Sequence, residues 1–277
     1  MDPALAINLE ETRRVLVGFI RDYVHGAKAE GVVLGLSGGI DSALVAALAV
    51  EALGPRNVLG LILPHESSSP EDEAHARLVA THLGMAVERI DITPVVKAVH
   101  AACDHSFEGM AANNLKPRSR MLLLYAHANS MNRLVAGTGN KSELMTGYFT
   151  KYGDGGADLY PLGDLYKTQV FALSRQLGLP REVVDKPPTA GLYPGQTDEG
   201  ELGIAYRDLD RVLAALEGGL SRDAAAARAG VEPALVGRVL SRIESSEHKR
   251  TSLVIPKVGF RTPGADWRLP RQPQRSS

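Results

Sequence analysis

The sequence has a single cysteine, no long apolar run and almost no net charge. Cys103 stands alone, which excludes an internal disulfide and a zinc cluster built on cysteines. No stretch approaches the roughly 18 uninterrupted apolar residues of a membrane span, and the first residues do not form a signal peptide. These features predict a cytoplasmic protein without a membrane partner.

Neither sign of charge is in excess, since the formal net charge is -1 at pH 7. Such a balance gives no electrostatic footprint for nucleic acid, so no nucleic-acid partner is expected. At 277 residues with 44% hydrophobic residues, the chain can bury one sizeable core. We predict a single domain over 1–277, with a core of about 1–190, a helical extension of about 191–250 and an extended tail of about 251–277.

Short apolar runs alternate with helical segments through the first half of the chain. An amphipathic pattern from Ile7 to Val24 predicts a first helix. Strands are predicted over 32–36, 58–63, 87–92 and 134–136, separated by helices around 41–53, 71–83, 94–103 and 117–131. This alternation indicates an α/β fold with a parallel sheet covered by helices on both faces. In such folds ligands collect at the carboxyl ends of the strands.

The second half of the chain reads as a loop followed by helices. Residues 148–161 have no helical or strand period and are predicted to border the site. Helices are predicted near 167–177 and over 198–217, 221–229 and 232–246. The last two resemble a helix-turn-helix, but 232–245 offers few side chains suited to base edges. A helical hairpin packed on the sheet is the preferred interpretation.

The turn after the first predicted strand, Gly35–Ser42, has the composition of a pyrophosphate-binding loop. Gly38 and Gly39 let amide groups approach an anion, and Ser37 and Ser42 add hydroxyl donors. The following helix directs its positive end at the same point. The Walker A lysine of kinases and GTPases is absent. Asp41 stands there instead, and its sensible role is to hold a magnesium ion that the phosphates also coordinate.

A second loop with a carboxylate follows the fourth predicted strand. In Gly137-Thr138-Gly139-Asn140-Lys141-Ser142-Glu143, Thr138 can donate to ATP, and Glu143 joins Asp41 as the predicted pair of Mg²⁺ ligands. An alternative for Glu143 is an acidic residue in the first turn of a helix, stabilised by the helix dipole.

These motifs resemble known enzymes. The first run resembles the Ser-Gly-Gly-x-Asp-Ser loop of the ATP pyrophosphatases, which split ATP into AMP and pyrophosphate. Together with 146–158, 160–162, Lys167, 188–190, 195–199 and 247–250, it looks like ammonia-dependent NAD⁺ synthetase over nearly the whole chain. The resemblance implies a Rossmann-like fold of the adenine nucleotide alpha hydrolase type with a C-terminal helical extension.

The resemblance also implies the reaction and the partners. Deamido-NAD⁺ would be adenylated by ATP with Mg²⁺, and ammonia would then displace AMP to give NAD⁺. A homodimer is implied, with deamido-NAD⁺ bound partly at its interface. Glutamine-dependent relatives carry an amidase domain before the synthetase part, and only about 30 residues precede the first predicted strand here. We therefore expect free ammonia, or ammonia delivered by a separate protein.

Site residues follow from the same resemblance, position by position. The ATP-binding residues would be Gly35, Leu36, Ser37, Gly38, Gly39, Ile40, Asp41, Ser42, Thr138, Lys167 and Thr189. The deamido-NAD⁺-binding residues would be Arg118, Lys151, Asp158, His248 and Lys249. Asp154 and Lys167 are the predicted catalytic residues, and Asp41 and Glu143 the metal ligands.

The chemistry of these side chains suits the implied roles. Lys167 is a mobile point charge for the phosphate charge that builds as pyrophosphate departs, or else a surface lysine. Asp154 would attract ammonium and accept its proton, although its flanking glycines also suit a turn aspartate. Arg118 lies at a helix start where its guanidinium can grip an anion. Arg120, two positions on, is expected to face another direction.

Two other functions remain compatible with parts of the sequence, and the C-terminal tail has a predicted role of its own. Another ATP pyrophosphatase, such as a GMP synthetase subunit or a tRNA-thiolating enzyme, would fit the first loop, but the latter generally needs catalytic or metal-binding cysteines that this chain lacks. A non-catalytic nucleotide sensor would fit the fold, but it would not need Asp41, Glu143, Asp154 and Lys167 together. The tail 259–277 is predicted to pack along the body with Trp267 as its anchor.

Overall fold

The structure, a computed structural model, describes residues 3–193, 195–251 and 254–262. Its helices and strands alternate as far as β3, three helices lead from β3 to β4, and the elements after β4 are helical. They are α1 (Leu9–Gly26), β1 (Gly31–Gly35), α2 (Ile40–Leu53), β2 (Val58–Ile62), α3 (Pro70–Leu83), β3 (Ala86–Arg89), α4 (Thr93–Ala101), α5 (Gly109–Asn113), α6 (Leu115–Ser130), β4 (Arg133–Val135), α7 (Lys141–Thr146), α8 (Lys167–Gln176), α9 (Arg181–Val184), α10 (Asp198–Leu202), α11 (Tyr206–Glu217), α12 (Arg222–Ala229), α13 (Pro233–Ser245) and α14 (Glu247–Arg250).

The strands form a parallel sheet in the order β3-β2-β1-β4. β1 and β2 are central and nearly fully buried, because helices cover them on both sides. On one face, apolar side chains of α1, α2, α3 and α8 pack on the sheet, and on the other face those of α4 and α6 do. The predicted parallel sheet with two covered faces is confirmed.

The C-terminal helices have an apolar cluster of their own. Leu209, Leu213 and Val236 are buried where α11, α12 and α13 meet. The α12–α13 hairpin packs on α11 and α7. It was expected to pack on the sheet, and that detail of the prediction is wrong, because α11 and α7 lie between the hairpin and the strands.

One predicted helix is broken in two. The pattern over 198–217 predicted a continuous helix, but α10 ends at Leu202, and Gly203 follows it in a left-handed conformation with φ of 69°. The Glu199 side chain accepts a hydrogen bond from the backbone N–H of Tyr206 at 2.8 Å, which begins α11 in a new direction. Glycine after a helix is a common stop, because it adopts this conformation without strain.

The described part of the tail, 254–262, contains no helix or strand. Phe260 is 92% exposed, whereas Thr262 is 5% exposed. Trp267, the predicted anchor, lies outside the described residues. Within those residues, no helix combines the length and the apolar character that crossing a membrane requires.

Candidate active site

A cavity of about 810 Å³ opens at the carboxyl ends of β1, β2 and β4. Its walls are the turns after these strands, the start of α6, the loop 148–156, the strap of residues 186–193, and α14. It brings together most of the predicted site residues. Those that line it are Gly35, Leu36, Ser37, Gly39, Ile40, Asp41, Ser42, Arg118, Thr138, Glu143, Lys151, Asp154, Lys167, Thr189, His248 and Lys249.

The loop Gly35–Ser42 is held by its own hydroxyl groups. The hydroxyls of Ser37 and Ser42 are 3.0 Å apart, and the backbone N–H of Ser37 donates to Ser42 Oγ at 3.2 Å. Ser42 Oγ donates to the carbonyl of Gly39 at 2.9 Å, and the N–H of Gly39 donates to Ser37 Oγ at 3.3 Å. The loop is thereby shaped before any ligand arrives, and α2 begins directly behind it.

Gly38 lies behind the cavity wall, where only glycine fits. Its φ is 77°, and a Cβ atom there would lie 2.2 Å from the carbonyl oxygen of Asp72 on α3. Both the left-handed backbone and the close approach of α3 exclude a side chain. This close packing fixes the loop against α3.

Asn140 connects the two strand-end loops. Its side chain caps α7 by accepting from the N–H of Glu143 at 3.1 Å, and Glu143 Oε2 accepts from the N–H of Asn140 at 3.2 Å in return. The amide nitrogen of Asn140 donates to Asp41 Oδ1 at 2.9 Å. Glu143 therefore has the structural role of a first-turn acid, and its second oxygen stays directed into the cavity.

Lys167 lies between the two carboxylates. Its Nζ is 2.5 Å from Asp41 Oδ2 and 3.3 Å from Glu143 Oε1, and the side chain is only 2% exposed. Burial by itself would lower the pKa of the ammonium, but the charges of Asp41 and Glu143 outweigh it and raise that pKa. Burial raises the pKa of Glu143, and the charges of Asp41 and Asp198 act in the same direction, whereas the Lys167 ammonium lowers it.

The same two carboxylates fit a magnesium ion. Among the described residues, no group of three or more His, Cys, Asp or Glu is arranged as a metal centre. Asp41 and Glu143 nevertheless supply two hard oxygen donors within reach of one cation, as their shared contact with the Lys167 ammonium demonstrates. Mg²⁺ commonly takes one or two protein carboxylates and completes its octahedron with phosphate oxygens and water.

Asp154, on the loop 148–156, lines the cavity. Its Oδ1 accepts from the N–H of Thr150 at 2.9 Å. Desolvation by the surrounding protein raises the pKa of this carboxyl group, while the charges of Arg120 and Lys249 act in the opposite direction. Gly155 beside it packs tightly, since a Cβ there would lie 2.3 Å from the ring of Phe149. The arrangement presents a carboxyl group of raised pKa to whatever occupies the cavity.

Arg118 and Arg120 both line the cavity from the first turns of α6. Arg118 is exposed and donates to the carbonyl of Lys151 at 3.3 Å. Arg120 donates to the carbonyl of Leu63 at 3.0 Å, and burial lowers the pKa of its guanidinium. The two arginines do point to different walls, as expected. Arg120 was not among the predicted site residues, but it lines the cavity beside Arg118.

The predicted basic residues near α14 fasten that helix to the loop after α7. Lys249 Nζ donates to the carbonyls of Gly147 and Phe149, each at 2.7 Å. Lys151 Nζ donates to the carbonyl of His248. Burial lowers the pKa of Lys249, with Arg242 and Arg250 acting in the same direction. In this arrangement α14 closes one end of the cavity.

Asp158 is the predicted side chain that the structure places away from this cavity. Its Oδ2 accepts from the N–H of Val135 at 2.7 Å, and its Oδ1 accepts from the hydroxyl of Tyr125 at 3.1 Å. These bonds join β4 to the outer side of α6. The reason lies in the chain path, because residues 157–159 run beside β4 and Ala136 and Leu159 form a parallel bridge.

Several cavity residues had no signal in the sequence. Lys186 forms an ion pair with Asp72, and Lys116 Nζ donates to Ser67 Oγ at 3.1 Å and to the carbonyl of Leu192. These contacts fasten the strap 186–193 across the cavity. Their partners are 114, 49 and 76 residues apart, so no local pattern marks them, although Pro187 and Pro188 do mark the strap as non-helical.

Known proteins are similar to this chain over all the residues that line the cavity. A sequence model of the NAD synthase family matches residues 12–253. The NH(3)-dependent NAD(+) synthetase of Archaeoglobus fulgidus is 49% identical over 253 residues, which is 91% of this chain and 98% of that protein. The solved structure of NMN synthetase from Francisella tularensis is similar with a TM-score of 0.82 and 36% identity, over 91% of this chain and 100% of its own. For the NH3-dependent NAD synthetase of Campylobacter jejuni the values are 0.77 and 31%, over 91% and 100%.

Proposed function

Since this chain belongs to the NAD synthase family, we propose that its cavity carries out the ATP-dependent amidation of deamido-NAD⁺ with ammonia. The enzyme is a ligase that forms a C–N bond. Its fold is the Rossmann-like fold of the adenine nucleotide alpha hydrolase type shared by its structural neighbours. The observation that carries the assignment to this cavity is the position of Lys167, between Asp41 of the first strand-end loop and Glu143 of the second.

In the first step, the nicotinate carboxylate attacks the α-phosphorus of ATP, and the bond to pyrophosphate breaks. The amide groups and hydroxyls of Gly35–Ser42 hold the departing pyrophosphate, and Lys167 offsets its growing negative charge. Thr138 and Thr189, which line the cavity, contact the rest of ATP. Asp41 and Glu143 would hold Mg²⁺, which would supply positive charge against the phosphate groups.

In the second step, ammonia attacks the carbonyl carbon of the acyl adenylate. The tetrahedral intermediate loses a proton, and the C–O bond to AMP breaks to leave the amide of NAD⁺. Asp154 accepts that proton, since a carboxyl group with a raised pKa is a better base than an ordinary aspartate. Arg118, Lys151, His248 and Lys249 surround the same end of the cavity and bind deamido-NAD⁺.

We also propose that the protein acts as a homodimer in the cytoplasm. Val15, Phe19 and Tyr23 on α1 are 63%, 41% and 43% exposed, and Leu122 on α6 is 58% exposed. Large exposed apolar side chains of this kind suit an interface between two copies. Asp158 lies beside this surface through its bond to Tyr125, so deamido-NAD⁺ that extends to the interface would reach it.

The deciding experiment follows NAD⁺, AMP and pyrophosphate in one reaction. Purified protein receives ATP, Mg²⁺ and deamido-NAD⁺ with either ammonium or glutamine. We expect NAD⁺ with ammonium alone, in equal amounts to AMP and pyrophosphate. ATP binding without NAD⁺ formation would refute the substrate assignment. A parallel reaction with nicotinate mononucleotide tests the activity that the name of the Francisella tularensis neighbour indicates. If the mononucleotide turned over faster than deamido-NAD⁺, the mononucleotide would be assigned as the substrate.

The dimer is tested by light scattering coupled to gel filtration. Phe19→Asp places a charge in the apolar surface and is expected to convert a dimer to a monomer. Leu220→Asp is the matched control, because Leu220 is 38% exposed and lies outside that surface. A monomeric wild type, or two variants that both keep the dimer, would contradict the proposal.

A further inference from the structure

Asp210 is a buried acid that the proposed reaction does not use. It lies on α11, is 0% exposed and does not line the cavity. Its neighbours Leu209 and Leu213 on the same helix are fully buried. In the described part of the chain, no basic side chain forms an ion pair with it. A carboxyl group in such a place costs free energy unless its oxygens are hydrogen-bonded.

Both oxygens of Asp210 are hydrogen-bonded to the segments that carry the active site. Oδ1 accepts from the hydroxyl of Ser142 at 2.5 Å, and Oδ2 accepts from the backbone N–H of Thr168 at 2.8 Å. Ser142 Oγ in turn accepts from the backbone N–H of Lys167 at 3.0 Å. Asp210 therefore binds the first two backbone N–H groups of α8. It accepts directly from the N–H of Thr168, and it is linked to the N–H of Lys167 through the Ser142 hydroxyl.

This arrangement is an N-terminal cap supplied by a different helix. The first amide groups of a helix have no partner within it, and a negative charge there is favourable. In α8 the first residue is Lys167 itself, so the cap acts on the backbone that carries the lysine. Ser142 precedes Glu143 in α7. One carboxyl group thus joins the backbones of Lys167 and Glu143, which meet again at the ammonium.

We propose that Asp210 is a positioning residue, which fixes the Lys167 ammonium against Asp41 and Glu143 by holding the starts of α7 and α8 together. The inference rests on the proposed function in so far as Lys167 acts on ATP. It also gives the C-terminal helices a part in the reaction, because α11 belongs to their apolar cluster.

A double-mutant cycle on ATP binding tests the proposal. ATP affinity in the presence of Mg²⁺ is measured by calorimetry for the wild type, Asp210→Asn, Lys167→Met and the double variant. We expect Asp210→Asn to weaken ATP binding about tenfold in the wild-type background and by less than about twofold in the Lys167→Met background, because interacting residues are not additive. Equal losses in both backgrounds, or no loss in either, would overturn the proposal.

Three further measurements keep the outcome clear. Ser142→Ala enters the same cycle, and it decides the matter if Asp210→Asn does not fold. Asp208→Asn is the control on the same helix, since its side chain is 41% exposed and it should bind ATP as the wild type does. In turnover, Asp210→Asn is expected to lower kcat about tenfold to a hundredfold with the KM for deamido-NAD⁺ unchanged, as expected of a small misplacement. If the protein bound ATP but formed no NAD⁺, the proposed function would be refuted, but the double-mutant cycle on ATP binding could still be interpreted.

Discussion

The loop Gly35–Ser42 and Lys167 border the same cavity but are held in opposite ways. Within Gly35–Ser42, the hydroxyl contacts join residues two to five positions apart. Lys167 contacts Asp41, Glu143 and Ser142, which are 126, 24 and 25 residues away. The loop is a local structure that its own sequence can form. The lysine is placed only when the sheet, α7 and the C-terminal helices have all assembled.

The two regions should therefore respond differently to substitution. A change within the loop removes one of several local bonds, and the remaining bonds hold its shape. A change around Lys167 removes a contact between distant parts of the chain that nothing else replaces.

The largest effect is expected for Lys167→Met. The side chain keeps its length, but Asp41 and Glu143 face each other without the ammonium. Loss of the charge that offsets departing pyrophosphate should lower kcat by about 10³-fold. Removing one member of a buried ion pair should also cost about 3 kcal/mol of folding free energy. Turnover and urea unfolding measure the two effects, and Lys167→Arg is the control that keeps the charge. A variant that retains a tenth of the activity would contradict the assigned role.

Asp154→Asn is expected to have the next largest effect and to separate the two half-reactions. Adenylation, followed as ATP–pyrophosphate exchange without ammonia, should stay within about twofold of the wild type. Amidation should slow about 10²-fold, because its proton acceptor is lost. Asp164→Asn is the matched control, since that side chain is 95% exposed and forms an ion pair with the Lys141 ammonium. Equal losses in both half-reactions would contradict the role in ammonia attack.

The pH dependence of amidation sharpens the same prediction. Desolvation by the protein around the cavity raises the pKa of Asp154, so the group stays protonated to a higher pH than an ordinary aspartate. At a constant concentration of free ammonia, the wild-type rate should therefore rise as pH increases through this raised pKa. In Asp154→Asn that rise should disappear. A rise that persists in the variant would assign the titration to another group.

The contrast between local and distant contacts also explains what the sequence could predict. The parallel sheet and the two strand-end loops followed from apolar runs and from glycine positions. The prediction of one continuous helix over 198–217 was wrong, although Gly203 is a residue type that commonly ends a helix. The capping of Lys167 by Asp210 could not be predicted, because Ser142 and Thr168 lie 68 and 42 residues from it. Nor could the inclusion of Arg120, which depends on how the cavity curves around α6.

Gly38→Ala is expected to have an intermediate effect, since here the loop depends on a distant element. The new Cβ would lie 2.2 Å from the carbonyl of Asp72 on α3, in addition to the strain of a positive φ. Gly84→Ala is the matched control, because its φ is 63° and open space surrounds it. Both variants should lose about 1 kcal/mol of stability to backbone strain. Only Gly38→Ala should also raise the KM for ATP, by about tenfold. Equal KM values in the two variants would show that α3 does not hold the loop.

The smallest effect is expected for Ser37→Ala, which gives the most direct comparison of the two regions. It deletes a hydroxyl that contacts Ser42 Oγ and the N–H of Gly39. Ser42 Oγ would still accept from the N–H of Ser37 and donate to the carbonyl of Gly39, so the loop should keep its shape. One neutral hydrogen bond corresponds to about a fivefold change in ATP affinity. Ser142→Ala deletes the same group where no second bond replaces it, and its loss should be larger. If Ser37→Ala weakened ATP binding as much as Ser142→Ala, the loop would depend on each of its contacts as Lys167 does.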